Sequence, residues 1–152
     1  MGAPTYMVGI GGCGMSGLAH LLLDLGFKVS GSDITDNPEI RQLRNRGAVI
    51  YQGHDPERLQ VNRPELIVYS SAIRMDNPEL TMANELQIPI IRRAVLLAAL
   101  AGSRRTVCVA GMHGKTTTSA MLAHALDVLG TKSGFAIGAA VPQLGRHARV
   151  SY

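Results

Sequence analysis

The sequence has no tryptophan and only two phenylalanines, and aromatic residues make up 4% of the chain. A surface that stacks successive bases needs such side chains. The fifteen Lys and Arg are scattered without a basic block, so the net charge of +4 suits small anionic ligands better than nucleic acid. The two cysteines, Cys13 and Cys108, do not suggest a disulfide framework, and both read as small buried residues in or beside strands and turns. No apolar run approaches the roughly 20 residues of a membrane span. The start MGAPTYMVGIGG also lacks the charged-then-apolar layout of a secretory signal. A cytoplasmic protein with no membrane partner is expected. Charged residues are few, at 17% against 46% apolar, which supports a real core and excludes a disordered chain. A length of 152 residues leaves room for one full domain plus a piece of another.

Apolar runs alternate with amphipathic stretches from the beginning. Tyr6–Ile10, Phe27–Ser30 and Val49–Tyr51 read as strands, with helices over Met15–Leu25 and Pro38–Arg46 between them. This β-α-β-α-β order implies a parallel sheet with right-handed crossovers. A polar loop is expected over Gln52–Pro64. A further buried strand follows at Leu66–Ser70, then a helix at Pro78–Leu86 capped by Asn77, and a short strand at Pro89–Ile91. Arg92–Ala101 reads as a helix stopped by Gly102, which marks a domain boundary. The expected architecture is α/β: a Rossmann-like three-layer domain with a parallel sheet of about five strands over residues 1–102. Residues 103–152 are expected to open a second unit as strand, phosphate loop and helix, with the strand at Thr106–Ala110, the helix at Ser119–Leu129 and a weakly patterned Gly-rich tail holding at most one or two short strands.

Two segments carry phosphate chemistry. Gly9-Ile10-Gly11-Gly12-Cys13-Gly14 is a G-x-G-x-x-G between the first strand and first helix, where backbone N–H groups and a helix N-terminus can approach a diphosphate. Such a turn can also exist only to pack a helix close to a sheet. Asp33 ends the second strand, where an acid can hydrogen-bond a ribose; it can equally be a turn residue before Thr35 and Asn37. The second segment runs Gly111-Met112-His113-Gly114-Lys115-Thr116-Thr117-Thr118, a shortened P-loop. There Gly114 lets the backbone wrap a phosphate of ATP, Lys115 neutralises its oxygens and the Thr116 hydroxyl ligates Mg²⁺. His113 lies within that loop, His20 and His124 fall on helices as structural or surface residues, and His54 and His147 are in loops.

The segments GIGGCGMSGLA, SGSD, SSAIRMDNPE, IPIIRRA and AGMHGKTTT, in this order and spacing, make the chain resemble the amino-terminal part of the UDP-N-acetylmuramate:L-alanine ligases of the Mur ligase family. The resemblance runs from about Tyr6 to Arg149. It implies that the first loop holds the diphosphate of a UDP-sugar instead of a dinucleotide, through Gly11, Gly12, Cys13, Gly14 and Met15. Asp33, Ser71, Ala72 and Ile73 are then expected around the uridine. The family's P-loop carries over onto Gly111, Met112, His113, Gly114, Lys115, Thr116 and Thr117, with Met112 standing where Thr is usual. The implied reaction phosphorylates the muramyl carboxylate with ATP and Mg²⁺, after which the amine of L-alanine attacks the acyl phosphate; Lys115 and Thr116 serve that step. A related ligase that recycles a whole tripeptide onto the same sugar nucleotide shares much of the layout. On local chemistry alone, a non-catalytic nucleotide-binding module is also possible.

Carboxylates for Mg²⁺ are scarce: after Lys115 the only acid is Asp127, about 18 Å away along a continuous helix. The resemblance implies that an acidic segment, the rest of the ATPase sheet and a third, amino-acid-binding domain lie beyond Tyr152. This chain is therefore expected to be a part limited to nucleotide-sugar binding and inactive without the missing domains of the same ligase. An apolar face of Val107, Val109, Met121, Leu122 and Leu126 should then be poorly covered.

Overall fold

The computed structural model of the protein describes residues 2–151. Five strands form one parallel sheet: β1 (Gly2–Val8), β2 (Phe27–Asp33), β3 (Val49–Gln52), β4 (Leu66–Tyr69) and β5 (Ile90–Arg92), in the order β3-β2-β1-β4-β5. The helices between them are α1 (Cys13–Asp24), α2 (Pro38–Asn45), α3 (Glu57–Asn62), α4 (Pro78–Glu85) and α5 (Arg93–Gly102). The order reverses direction after β3, because the chain returns past β1 to place β4 on its far side. Neighbouring crossovers therefore part between β1 and β4, and a crevice opens outside the carboxyl ends of those strands.

Side chains alternate across β1 as the pleat requires. Met7 joins Val29, Val68 and the buried faces of α1, α2 and α5, whereas Tyr6 and Val8 join Ile67, Tyr69, Leu59 of α3 and Leu80 and Ala83 of α4. The sheet is thus covered on both sides, the expected three layers. The second layer contains a fully buried carboxylate. Glu79 accepts hydrogen bonds from Tyr6 Oη (2.6 Å), Ser32 Oγ (2.5 Å), His54 Nδ1 (2.8 Å) and the Asp55 N–H (3.3 Å). A buried charge persists only with such donors, and these tie β1, β2, the loop after β3 and α4 together.

Two expectations about elements fail. The loop expected over 52–64 contains α3, a helix of six residues too short for a 3.6-residue pattern to stand out, held by buried Leu59. The strand expected over 106–110 does not form, and Val107 is 77% exposed. β-branched residues favour a strand only when another strand takes their N–H and C=O groups, and none of the described strands lies beside this segment. Nor are the cysteines buried: Cys13 and Cys108 are both exposed.

After that segment α6 (Lys115–Val128) is followed by β6 (Phe135–Ala136) and β7 (Ala148–Arg149), which pair as a two-stranded antiparallel ribbon. One side of α6 rests on this ribbon through Ala123, Ile137 and Val141. Its other side carries Met121 and Leu122, exposed as the sequence leads one to expect, and Val128, exposed as well, whereas Leu126 is half-buried. The ribbon itself docks on α1. The Val150 N–H donates to Asp24 Oδ2 at 3.0 Å, and Ala148 is buried in the main core.

Candidate functional site

The first glycine loop turns immediately after β1. The Gly9 and Ile10 N–H groups both donate to Ser32 O, at 2.8 and 3.1 Å, which binds the loop to the end of β2. Gly11 is then clamped from both sides of its peptide. Its N–H donates to Asp33 Oδ2 at 2.8 Å, and its carbonyl accepts from Asn37 Nδ2 at 3.0 Å. A Cβ on residue 11 would fall 2.9 Å from Ile40 and 3.0 Å from both Asn37 and Asp33, so close approach requires glycine there. Asn37 also caps α2, accepting from the Ile40 N–H at 3.0 Å.

α1 begins at Cys13 with Gly12 as its N-cap residue, and no side chain caps it. The Met15 and Ser16 N–H groups return to Gly12 O at 2.8 Å each. The N–H groups that open the helix stay available, together with the positive end of its dipole. They face a shallow cleft of about 350 Å³ bounded by Gly12–Met15, by Ser70 and Ser71 beyond β4, by Arg93 at the start of α5 and by Gly138 from the tail. The Arg93 guanidinium lies against the loop, since a Cβ on Gly14 would sit 2.6 Å from its Nη1. A cation and a bare helix N-terminus facing one cleft have the chemistry to receive an anion. A similar hollow of about 380 Å³ at the opposite edge, lined by Gly2, Ala3, Pro4, Lys28 and Glu65, has neither the switch point nor a helix N-terminus.

Of the residues expected to meet a nucleotide sugar, Gly12, Cys13, Gly14, Met15 and Ser71 line this cleft, although Met15 is buried at 1% exposure and offers it chiefly backbone. Gly11 lies just behind it. Ile73 packs beneath the loop, 3.3 Å from where a Gly9 Cβ would stand, and the Ala72 N–H donates to Ser70 Oγ at 3.3 Å. Asp33 is nine-tenths buried, and its second oxygen accepts from Thr35 N and Oγ1 at 3.0 and 2.9 Å. It works as the turn residue the sequence allowed, and it also holds the loop. The Cys13 thiol donates to Gly138 O at 2.9 Å; partial burial and the nearby Glu39 charge push its pKa up.

The residues expected to form a P-loop, 111–117, are exposed and take no part in this cleft. Gly114 adopts φ 77°, the left-handed turn that only glycine enters cheaply, and α6 starts at the next residue. Lys115 Nζ donates to Gly111 O at 2.6 Å and Met112 O at 3.0 Å, so its ammonium lies over the mouth of the loop. Thr116 is exposed beside it at the N-terminus of α6. Asp127 is paired with Arg149 at 2.5 Å, away from the loop. Among the described residues no three His, Cys, Asp or Glu side chains converge on a point. The residues present therefore do not by themselves fit a Mg²⁺ site beyond the single Thr116 hydroxyl.

Sequence reasoning overlooked Arg93, Asn37 and Gly138. The doubled arginine of IPIIRRA was the available signal for the first, because it follows β5 at the same edge of the sheet as both loops after β1 and β4. Gly138 had none, since it is brought in by docking of the tail.

Residues 4–105 match the Mur ligase family, catalytic domain. The chain belongs to the Mur ligase family. Among Mur ligases it is similar to the UDP-N-acetylmuramate--L-alanine ligase of Methylobacillus flagellatus, with 48% identity over 146 residues that cover 96% of this chain and 30% of that protein. It is similar also to the enzyme of the same name from Aquifex aeolicus, at 44% identity over 145 residues, 95% of this chain and 32% of the relative. The chain thus spans about a third of the length of these curated relatives. Two solved structures share the fold over 99% of the chain. One is the UDP-N-acetylmuramate:L-alanyl-gamma-D-glutamyl-meso-diaminopimelate ligase from Neisseria meningitides, with TM-score 0.92, 32% identity and 47% of that chain covered. The other is the UDP-N-acetylmuramate-alanine ligase from Thermotoga maritima, with TM-score 0.91, 29% identity and 35% covered. No helix among the described residues of this Mur ligase chain is long and apolar enough to cross a membrane.

Proposed function

We propose that this chain provides the nucleotide-sugar site and the ATP phosphate loop of a ligase that joins L-alanine to UDP-N-acetylmuramate in peptidoglycan synthesis. The observation that carries the reading is the cleft at the switch point, where the bare N-terminus of α1 faces Arg93 across Gly12–Gly14. Donors and charge in that arrangement match a diphosphate. The uridine then lies toward Asp33 and the turn at Ser71, Ala72 and Ile73, with residues 1–102 acting as the substrate unit. Residues 103–152 open the ATP unit, in which Gly111–Thr117 wrap the phosphates and Lys115 exchanges its bonds to Gly111 O and Met112 O for phosphate oxygens. In the proposed reaction a muramyl carboxylate oxygen takes the γ-phosphoryl group of ATP and releases ADP. The alanine amine next displaces phosphate to form the amide. Mg²⁺ would offset charge on the phosphates, and its ligands other than Thr116, like the alanine site, belong on this reading to the remainder of the longer relatives. The chain alone binds and does not turn over.

The structural likeness is as close to a tripeptide-joining ligase as to an alanine ligase, but the curated relatives at 44–48% identity are named for alanine, which favours that substrate. Calorimetric titration with UDP-N-acetylmuramate, with NAD alongside, tests the site. Saturable binding of the sugar nucleotide alone is expected; binding of NAD instead, or of neither, overturns the proposal.

A further inference from the structure

The tail ribbon carries one buried titratable side chain for which the proposed function has no use. His147, from the loop leading into β7, is 2% exposed and inserted against α1. Its Nε2 lies 3.2 Å from Ser16 Oγ, and its Nδ1 lies 3.4 Å from Glu39 Oε2 on α2. Ser16, Nε2, Nδ1 and a carboxylate follow in the order used by hydrolytic triads, but Ser16 is fully buried and no substrate reaches it. The same geometry serves to fix a position. Ser16 is in the first turn of α1: its N–H bonds Gly12 O at 2.8 Å and its hydroxyl reaches Cys13 O at 3.1 Å. Both acceptors belong to the stretch that opens toward the diphosphate cleft. Gly17 makes the docking possible, since a Cβ there would stand 3.1 Å from His147 Cδ2. A second bond from the same tail, Cys13 Sγ to Gly138 O at 2.9 Å, reaches the same turn.

We infer that His147 is a positioning residue for the glycine loop: carried by the tail ribbon, it sits between Ser16 of α1 and Glu39 of α2, and so couples docking of the ribbon to the loop's affinity for a diphosphate. The affinity half of this inference rests on the diphosphate reading above. The physical reason is that a helix N-terminus gains from an anion only while its N–H groups stay aimed, and the first turn is where a helix frays. The His20 ring lies 5.7 Å from that of His147 in an edge-on arrangement, and the charges of Arg46, Arg146 and Asp24 gather around His20.

The test uses the 152-residue chain with His147→Ala and His147→Gln, because the Gln amide nitrogen can occupy the place of Nε2 and keep the bond to Ser16. In ¹H–¹⁵N spectra the amides of Gly12 to Ser16 should move in H147A and stay near wild type in H147Q. Titration with UDP-N-acetylmuramate should show affinity about ten-fold weaker in H147A and largely recovered in H147Q. Rescue by Gln is the outcome that a general packing role for the ring does not give. Equal affinity of wild type and H147A overturns the inference while leaving the diphosphate reading intact. If wild type does not bind, the diphosphate reading fails, and the amides decide the positional coupling: unmoved Gly12–Ser16 signals in H147A overturn it, as does H147Q matching H147A.

Discussion

Asp33 Oδ2 accepts the Gly11 N–H at 2.8 Å, so the carboxylate that ends β2 holds the loop that ends β1. In a parallel sheet the two segments share an edge only because β2 lies beside β1, with Val8 in register with Ser32. Replacing Asp33 with Ala frees Gly11 on one side and removes both bonds to Thr35. The expected result is a loss of UDP-N-acetylmuramate affinity of about ten-fold, with Asp33→Asn intermediate, read by calorimetry. Unchanged affinity in D33A would show that the loop keeps its shape without the clamp.

The Arg93 guanidinium lies against the glycine loop at Gly14 and lines the cleft. Arg93→Ala should weaken sugar-nucleotide binding about five- to ten-fold and flatten its dependence on salt, while Arg93→Lys recovers part of the affinity as a point charge without the planar fork. The melting temperature should hardly change, because the residue is only half-buried. A loss of stability without a loss of affinity would instead make Arg93 a packing residue.

Glu79 gathers four donors in a place with no access to water. Glu79→Ala leaves Tyr6, Ser32 and His54 without their shared acceptor and should cost about 3 kcal/mol in urea unfolding. Glu79→Gln keeps one acceptor and should cost less. Burial, reinforced by the hydrogen bond to Glu79, raises the Tyr6 phenol above its ordinary range, so the hydroxyl remains a donor throughout the accessible pH range. A cost below about 1 kcal/mol for Ala would mean that water enters to replace the carboxylate.

His20 contributes a pH dependence whose sign follows from its surroundings. Burial holds its pKa at about 4, with Arg46, His147 and Arg146 adding to the effect and Asp24 opposing it. The Arg46 guanidinium donates to Nδ1 at 2.7 Å, which requires that nitrogen to be unprotonated. An unfolded histidine titrates near 6.5, so on acidification the unfolded chain takes up the proton first. The stability is fully present above about pH 6.5 and declines toward pH 4, by up to about 3 kcal/mol. Urea midpoints at pH 7 and pH 4.5 read it, and His20→Gln should remove much of the difference; an identical slope in H20Q assigns it to other groups.

Much of the sheet was legible in the sequence because strand, helix and turn each leave a local mark. Asn77 before Pro78 announced α4, and Asn77 Oδ1 does accept the Glu79 N–H at 2.9 Å. Glycines between an apolar run and an amphipathic one announced the tight loop between β1 and α1 for the same reason: its need for a turn beside a helix N-terminus is written within a few residues. The segment at 106–110 shows where such reasoning stops. Its β-branched residues record a preference, whereas strand formation requires a hydrogen-bonding neighbour that is not local.

Composition and order alone therefore determined an α/β chain with two glycine-rich loops, each leading into a helix, since periodicity and turn chemistry act between residues close in sequence. Only the tertiary structure decided that Asp33 and Asn37 grip Gly11, that Arg93 faces the loop, and that His147 reaches Ser16 across 131 positions of chain. Those contacts depend on strand order and on docking of the tail, and the energy of a hydrogen bond or a charge is set by what stands within a few ångströms, whatever the distance along the chain.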